Sequence, residues 1–442
     1  MAKVIPFRGI LYNEDKIGDF SKVVTPPYDV ISPEEQKQFY DRHPNNVIRL
    51  DLGQKTANDS AEDNSNTRAA GYFQDWSSRG ILLQDENPCI YLTTVEFFMG
   101  DEMVTRYGMI ALVGIEPFEK KIVLPHEKTF SKVKSERLDL MKACHSNFSQ
   151  VFSLYSDREG ILEMLKKAVS GIEPFFNILD DKKHRHKMWR VTDPDIQEQV
   201  TQLMEKKRLF IADGHHRYET ALNYRKWLSQ GDPDFNEDHP ANYVMMYLCS
   251  MEDPGLVVLP AHRMLFNIGK DILSEFIEKA GRYFDITTIP VENGLIRDAQ
   301  KSLVSMLESN DSKNAIGVYM KGRNAFFLMI VKPGVMENLF GSTLPESLRK
   351  LDVTVLTQLV LMEILGFSGG HLDNEDLIAY SSSTDKAVDS VVDGNCDLCF
   401  ILNSTKIEQV KNIAEAGQIM PRKTTYFYPK AITGQVLYHL KF

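Results

Sequence analysis

The strongest concentration of reactive side chains is the segment Asp213–Arg217 (DGHHR), which joins an acid and a glycine to three basic or titratable residues. A glycine lets a ligand approach the backbone, and the N–H groups and dipole of a following helix can bind an anion. Arg217 can donate two hydrogen bonds to phosphate oxygens. Beside that anion, Asp213 can hold a metal ion or accept a proton. The segment therefore predicts a phosphate site.

The neighbouring elements place this segment at a strand-to-helix turn. The apolar run Arg208–Ala212 predicts a short buried strand, and the residues after Arg217 predict a helix to about Ser229. The alternative interpretation is structural, with Asp213 capping the helix and the histidines solvated. That interpretation leaves three polar side chains in a row at a strand end unexplained, so the functional one is favoured.

A second candidate is the loop Leu124–Thr129 (LPHEKT). Its adjacent His126 and Glu127 can supply a general base or a metal ligand, and Lys128 can hold an anion. A zinc-protease motif would need a second histidine at position 130, which is Phe130, so that activity is excluded. The alternative is a charged surface turn.

A third candidate is Pro26–Asp29 (PPYD), where two prolines stiffen the backbone. Such a loop can hold Tyr28 over a base and direct Asp29 at a ligand hydroxyl. The alternative is a buried structural turn in which Asp29 caps the helix that begins at Ser32.

Cations also cluster late in the chain. Arg263 follows an apolar strand and could complete an anion clamp or form a structural salt bridge. The segment Met420–Lys430 contains three cations and three aromatic residues without an acid. Lys423 or Lys430 could clamp a phosphate from a lid, but the segment also fits an RNA-stacking surface or a terminal strand packed by its aromatics.

Two other groups favour structural interpretations. The only C-x-x-C pair, Cys396 and Cys399, begins an apolar strand and lacks nearby partners for zinc, which favours ordinary buried cysteines. His184 and His186 lie in the Lys/Arg-rich string KKHRHK, and we expect them to be solvated rather than metal-bound.

Composition limits the class of protein. The 442 residues are 43% hydrophobic and 25% charged, which is typical of a globular chain. The net charge of −10 disfavours sequence-independent coating of DNA. Five scattered cysteines and the lack of a signal peptide or apolar span predict a cytoplasmic protein in a reducing compartment.

The order of elements predicts an α/β fold with mixed sheets, with α+β as the alternative. Asn46–Leu52 alternates like a strand, and Ile90–Phe98 with Thr105–Ile115 predicts an antiparallel pair. Past residue 265 helices and strands alternate more simply. We therefore expect a core at 1–265 and a C-terminal α/β portion at 266–442 that packs on the core and contributes a clamp segment.

Five strings together resemble a known family. VTPPYDVIS, LPHEKT, FIADGHHRYETAL, LPAHR and MPRKTTYFYPK occur in this order and span essentially the whole chain. They resemble the uncharacterised prokaryotic domain-of-unknown-function 1015 family, which has no settled activity.

The DGHHR segment has a more distant likeness. It resembles the glycine–basic–arginine motif of the ParB/sulfiredoxin superfamily, and the likeness is closest to the free-serine kinases. The resemblance implies a ParB/sulfiredoxin-like nucleotide-binding core in which Gly214, His215, His216 and Arg217 bind phosphate, with Asp213 near the transferred group or its Mg²⁺. Sulfiredoxin activity needs a cysteine in this motif, which is absent here.

The leading hypothesis is a nucleotide-binding phosphotransferase that acts on a small hydroxylated metabolite. ATP, ADP or CTP and Mg²⁺ are the expected cofactors, with Glu127 or Asp29 as base and Arg263 or Lys423 neutralising developing charge. The residues expected to contact the substrate are Tyr28, His126, Thr129 and Lys430. All the motif loops must then converge in space.

Two alternatives come from other classes. One is a metal-dependent hydrolase or phosphatase, with a ligand set of Asp213, His215, His216, His126 and Glu127. The other is a non-enzymatic ParB-like nucleotide switch that binds nucleic acid or a partner, which the acidic charge and the lack of an evident helix-turn-helix disfavour. The expected partner is a small molecule, with no nucleic acid and no membrane, and a homodimer remains an option.

Overall fold

Local sequence signals start many of the helices in the computed structural model, which describes residues 2–127, 129 and 131–441. Ser32 accepts a hydrogen bond from the backbone N–H of Glu35 at 3.2 Å, and the Glu35 carboxylate accepts one from Ser32 at 2.8 Å. This capping box begins the predicted helix Pro33–Arg42. The sequence predictions made for Lys128 and Phe130 lie outside the described residues.

The strands, numbered in chain order, are β1 (Val4–Ile5), β2 (Ile10–Tyr12), β3 (Leu82–Gln84), β4 (Ile90–Met99), β5 (Glu102–Gly114), β6 (Val123–Leu124), β7 (Ser146–Asn147), β8 (Val151–Tyr155), β9 (Phe176–Leu179), β10 (Arg185–Val191), β11 (Leu209–Asp213), β12 (Tyr243–Ser250), β13 (Val257–Leu259), β14 (His262–Leu265), β15 (Phe284–Pro290), β16 (Ala315–Met320), β17 (Ala325–Val331), β18 (Ile378–Ser381), β19 (Leu398–Leu402), β20 (Tyr426–Tyr428) and β21 (Tyr438–His439).

The α-helices are α1 (Glu14–Ile17), α2 (Pro33–Arg42), α3 (Ile48–Asp51), α4 (Ser65–Ser78), α5 (Ser131–Cys144), α6 (Ile161–Ala168), α7 (Pro194–Glu205), α8 (His215–Gly231), α9 (Lys270–Ala280), α10 (Ile296–Ser309), α11 (Val335–Phe340), α12 (Glu346–Arg349), α13 (Asp352–Thr354), α14 (Gly369–Leu372), α15 (Thr384–Val392) and α16 (Ile407–Glu415). The π-helix Val355–Ile364 continues α13, and Tyr28–Val30 forms a 3₁₀ turn.

The chain divides into two compact units. The first comprises Met1–Val257 with Pro429–Phe442, and the second comprises Val258–Tyr428. The boundary expected from sequence lies at 265, and the whole C-terminus is expected in the second portion. The segment after Pro429 belongs to the first unit because its backbone pairs there: Leu437 bonds to Ile10 and Thr433 to Thr25.

The first unit is built on a nine-stranded mixed sheet. Its order is β6-β11-β8-β12-β5-β4-β10-β9, and β1 also pairs with β5. The pairs β11–β6 and β12–β8 are parallel, whereas the other pairs are antiparallel. Buried aliphatic side chains of β5, β8, β11 and β12 pack with those of α6, α7 and α8 to form its core. Leu209 and Ile211 anchor β11 in this core.

The second unit contains a six-stranded antiparallel sheet of order β15-β17-β16-β19-β14-β18. Alternate residues of β16 enter two separate cores: Ile316 and Val318 pack in one, and Ala315 and Tyr319 in the other. This alternation follows the two-residue period of a strand, so both faces of the sheet are covered. With the first unit, it confirms the predicted mixed α/β class.

The structure contradicts two of the sequence predictions. Asn46–Leu52 is not a strand, because the Asn46 side chain accepts the N–H of Ile48 at 2.9 Å and starts the short helix α3. His184 and His186 are not solvated, since both residues are buried, with at most 5% of their surface exposed. The predicted pair Ile90–Phe98 and Thr105–Ile115 is confirmed as β4 and β5.

All five cysteines are buried and free of disulfides, as predicted for Cys396 and Cys399. Among the described residues, no helix combines the length and the apolar character needed to cross a bilayer.

Candidate functional site

The candidate site begins where β11 passes into α8. Gly214 is the N-cap of this helix, has φ of 91°, and makes no side-chain cap hydrogen bond. A Cβ atom at this position would lie 2.7 Å from Nε of Arg217. Both the left-handed backbone and the close guanidinium therefore require glycine here. The first-turn N–H groups of a helix have no intrahelical partners, which makes this end suited to an anion.

Asp213 is the centre of a buried charge cluster. One carboxylate oxygen accepts a hydrogen bond from Lys430 Nζ and the other accepts one from the Arg217 guanidinium. Burial alone would raise the pKa of Asp213, but Lys430 and Arg217 hold it well below its usual range. Asp213 is therefore an ionised carboxylate between two cations and does not cap α8, contrary to the structural interpretation of this segment.

This arrangement bears on the predicted Mg²⁺ ligand. Mg²⁺ binds carboxylate oxygens that can turn toward the ion. Both oxygens of Asp213 already face cations, Lys430 and Arg217. The donor set around Asp213 thus does not fit Mg²⁺, and no step is assigned to the ion there.

His215 connects α8 to the LPHEKT loop. Its Nε2 accepts the backbone N–H of His126 at 3.3 Å, so the ring proton is assigned to Nδ1, which lies 3.8 Å from the Glu127 carboxylate. The rings of His126 and His215 meet edge to face with centroids 4.7 Å apart. Burial lowers the pKa of both histidines, most strongly that of His215. The two rings are therefore neutral at physiological pH.

The same loop is fixed to α8 at a second point. Thr129 donates its hydroxyl hydrogen to Glu219 at 2.7 Å, and Lys134 of α5 donates to the other oxygen of Glu219 at 2.5 Å. Glu219 lies one helical turn after His215, on the same side of α8. The loop, α5 and α8 thus form one connected framework.

Tyr28 of the PPYD loop contacts Arg137, a residue that is not among those predicted from the sequence. The guanidinium of Arg137 stacks over the ring of Tyr28 at 4.1 Å and pairs with Asp51. Asp51 is only 2% exposed and Arg137 14%. Burial raises the pKa of Tyr28, and the charges of Arg137 and Arg217 oppose this shift.

Asp29 next to Tyr28 remains exposed and does not cap α2, because Ser32 has that role. Burial is the largest influence on the pKa values of Arg217 and His216, and it lowers both. The negative charge of Asp29 acts in the opposite direction and raises both. The net pKa of half-buried His216 is lowered. Asp29 is therefore an accessible carboxylate beside the start of α8.

A small cavity lies between α5, α8 and the segment 146–149. It has a volume of about 30 Å³, and its polar lining residues are Arg137, Ser146, Asn147, Ser149, Arg217 and Thr220. Nε of Arg217 and Oγ1 of Thr220 are buried and have no hydrogen-bond partner among the described residues. Two arginines and an unused hydroxyl therefore surround one small space, which fits an anion.

The remaining predicted residues, Arg263 and Lys423, lie in the second unit. Arg263 donates to the backbone carbonyls of Arg422 and Lys423 at 3.1 and 3.0 Å, and its guanidinium stacks on Tyr380. Their roles in charge neutralisation stay predictions.

The ligand set of the hydrolase hypothesis is not assembled. Among the described residues, the only group of three or more potential ligand side chains with ligand atoms within 4.8 Å of one another is Asp180, His184 and His186. It contains none of the five residues of that hypothesis.

Comparison with known proteins places the sequence in a family. The model described as "Protein of unknown function (DUF1015)" matches residues 4–354. The chain belongs to this family. The resemblance carried by the five sequence strings is thereby confirmed for this DUF1015 protein, and no curated protein matches its sequence.

The DUF1015 chain is also similar to solved structures of low sequence identity. A free serine kinase mutant in complex with ADP is 11% identical with a TM-score of 0.38, covering 75% of this chain and 92% of that one. A conserved hypothetical protein from Pyrococcus furiosus is 11% identical with a TM-score of 0.35, covering 75% and 95%. SbnI from Staphylococcus aureus, with a C-terminal truncation, is 9% identical with a TM-score of 0.34, covering 74% and 86%.

Proposed function

We propose that the first unit of this DUF1015 protein binds the phosphate group of a nucleotide beside the first turns of α8 and transfers a phosphoryl group to a hydroxyl of a small metabolite. The observation that carries the proposal is the cavity lined by Arg137 and Arg217 with an unpartnered guanidinium nitrogen and hydroxyl. Five free cysteines support a reducing, cytoplasmic setting.

The electrostatics favour an anion in this cavity. Burial lowers the pKa of Arg137 and the charge of Arg217 lowers it slightly further, whereas Asp51 and Tyr28 raise it, so that the net pKa is raised. An anion between two such cations relieves their repulsion. The volume of about 30 Å³ admits one small group, so the base and ribose of a nucleotide would lie outside.

The neighbouring side chains suit proton transfer and orientation. The acceptor hydroxyl needs a base, and the accessible carboxylates are Asp29, which is exposed, and Glu127, which is 29% exposed. Because His215 is neutral and accepts the backbone N–H of His126, it holds the loop that carries Glu127 and does not neutralise phosphate charge. Lys430 and Arg217 keep Asp213 ionised, and this cluster fixes the direction of the guanidinium. Such positioning is the main requirement of phosphoryl transfer.

The identity of the nucleotide is the more specific part of the proposal. The motif likeness of Asp213–Arg217 to free-serine kinases makes ATP and ADP the first ligands to test, with CTP beside them. Mg²⁺ is varied separately because the surroundings of Asp213 do not fit this ion. If nucleotide binding required Mg²⁺, groups other than Asp213 would have to hold it. Serine is the first acceptor to test.

The decisive test is calorimetric titration of the full chain with ATP, ADP and CTP, with and without Mg²⁺. We expect one nucleotide to bind, and Arg217→Lys to weaken that binding about 10- to 100-fold. Lysine keeps the charge but loses the planar fork, and a hydrogen bond to a charged group contributes about 1.5–3 kcal/mol.

The matched control is Arg225→Lys, which lies on the same helix and donates to the carbonyl of Ile115. This variant is expected to bind as the wild type does. Absence of binding by any nucleotide, or an equal loss in both variants, would refute a phosphate site at Arg217.

A further inference from the structure

The hairpin of β9 and β10 carries a cluster of metal-ligating side chains that do not line the cavity of Arg137 and Arg217. Asp180 follows β9 directly, His184 immediately precedes β10, and His186 is the second residue of β10. Both imidazoles approach the same carboxylate oxygen of Asp180. Both histidines are buried, with exposures of 5% and 4%.

The two oxygens of Asp180 have separate roles. Oδ1 accepts the backbone N–H groups of Lys182 and His184, each at 2.9 Å, and so closes the turn. Oδ2 lies 3.2 Å from Nδ1 of His184 and 3.0 Å from Nε2 of His186. The turn uses only Oδ1, which leaves Oδ2 as the single oxygen on which two buried imidazoles converge.

The spacing matches that of ligands around one ion. A tetrahedral zinc ion with bonds of about 2.0–2.1 Å separates its ligand atoms by about 3.3–3.4 Å. The ligand atoms of all three residues lie within 4.8 Å of one another, and the two measured separations to Oδ2 are within a few tenths of an ångström of this value.

We propose that Asp180, His184 and His186 bind a divalent transition-metal ion, with zinc as the expected occupant. Two imidazoles with one carboxylate are a donor set typical of zinc and of iron(II), and three protein ligands leave a position open for water. Coordination through Nδ1 of His184 and Nε2 of His186 requires that each of these two nitrogens carries no proton.

The surroundings indicate what completes the coordination. His186 lines a cavity of about 10 Å³, which is the size of a single water molecule. Two cationic side chains, Arg106 and Lys430, line the same cavity. Arg106 is 1% exposed, and its Nη1 has no hydrogen-bond partner among the described residues. A buried cation beside the cavity favours an anionic fourth ligand, such as hydroxide, over neutral water.

The test uses Zn²⁺ alone with the full chain, and Co²⁺ as a spectroscopic substitute. We expect one Zn²⁺ retained per chain after dialysis and a visible tetrahedral spectrum with Co²⁺. Asp180→Asn and His186→Gln should each weaken Zn²⁺ binding at least about 100-fold. Asp180→Asn keeps an oxygen for the two backbone N–H groups, so the turn is retained.

The matched control is His239→Gln, another buried histidine beside an aspartate, Asp232 at 3.8 Å, outside this cluster. It should bind Zn²⁺ as the wild type does. Failure of the wild type to retain Zn²⁺, or equal retention by Asp180→Asn, overturns the proposal and leaves the cluster as a hydrogen-bonded turn. Neither outcome depends on nucleotide binding.

Discussion

Replacing Asp213 with asparagine should lower the free energy of unfolding of the first unit by about 3–5 kcal/mol. The side chains of Lys430 and Arg217 are only 12% and 8% exposed, and both pair with this carboxylate. Asparagine would remove the negative charge that lies directly between these two buried cations. The three tryptophans, Trp76, Trp189 and Trp227, all lie in the first unit, so their fluorescence in urea reports this unit alone.

The control for this prediction is Asp75→Asn. Asp75 pairs with Arg79 at the surface, where the side chains are 49% and 64% exposed, and such pairs contribute at most about 1 kcal/mol. If Asp213→Asn were no more destabilising than Asp75→Asn, the description of Asp213 as a buried ion-pair centre would be wrong. Loss of nucleotide binding without loss of stability would instead assign Asp213 a purely functional role.

The second unit should lose about 3 kcal/mol of stability as the pH falls from 6.5 toward 4. Burial lowers the pKa of His262 from 6.5 to about 4. Its Nδ1 accepts the backbone N–H of Leu402 at 3.2 Å, so Nε2 carries the proton shared with Thr384. Between these pH values the unfolded chain binds a proton that the folded unit excludes, and stability therefore falls with acidity.

This pH effect can be measured by hydrogen exchange of peptides covering β14 and β19. The slope between pH 4 and 6.5 should be markedly reduced in His262→Gln, because glutamine can accept from Leu402 and donate to Thr384 without titrating. His371→Gln, an exposed histidine of the same unit, should keep the wild-type slope. An unchanged slope in His262→Gln would show that other groups control the acid response.

Much of the fold follows from local sequence signals. The capping box at Ser32 and the alternation in β4 and β5 depend on residues close in the chain, and both predictions are confirmed. Asn46–Leu52 also alternates, but the Asn46 side chain forms a competing local hydrogen bond that starts α3. The alternating pattern alone does not indicate whether this local hydrogen bond or pairing with another strand is more favourable.

The candidate site was only partly predictable. The chemistry of Asp213–Arg217 is evident from residue type, and the strand-to-helix turn is evident from periodicity. Arg137 gave no signal, because it occurs in a helix with many lysines and its partner Asp51 is 86 residues away. Nor does the sequence indicate that His215 is buried and neutral, with its ring accepting a hydrogen bond from the backbone of a loop 89 residues away. The roles of Arg137 and His215 depend on tertiary packing, which the composition of the sequence does not reveal.

The assignment of Pro429–Phe442 to the first unit has a consequence for biosynthesis. Lys430 follows Asp213 by 217 residues, and the whole second unit is encoded between them. A ribosome therefore releases the second unit before it supplies the last cation of the Asp213 cluster. The buried ion pairs of Asp213 are thus complete only after the whole second unit has been synthesised.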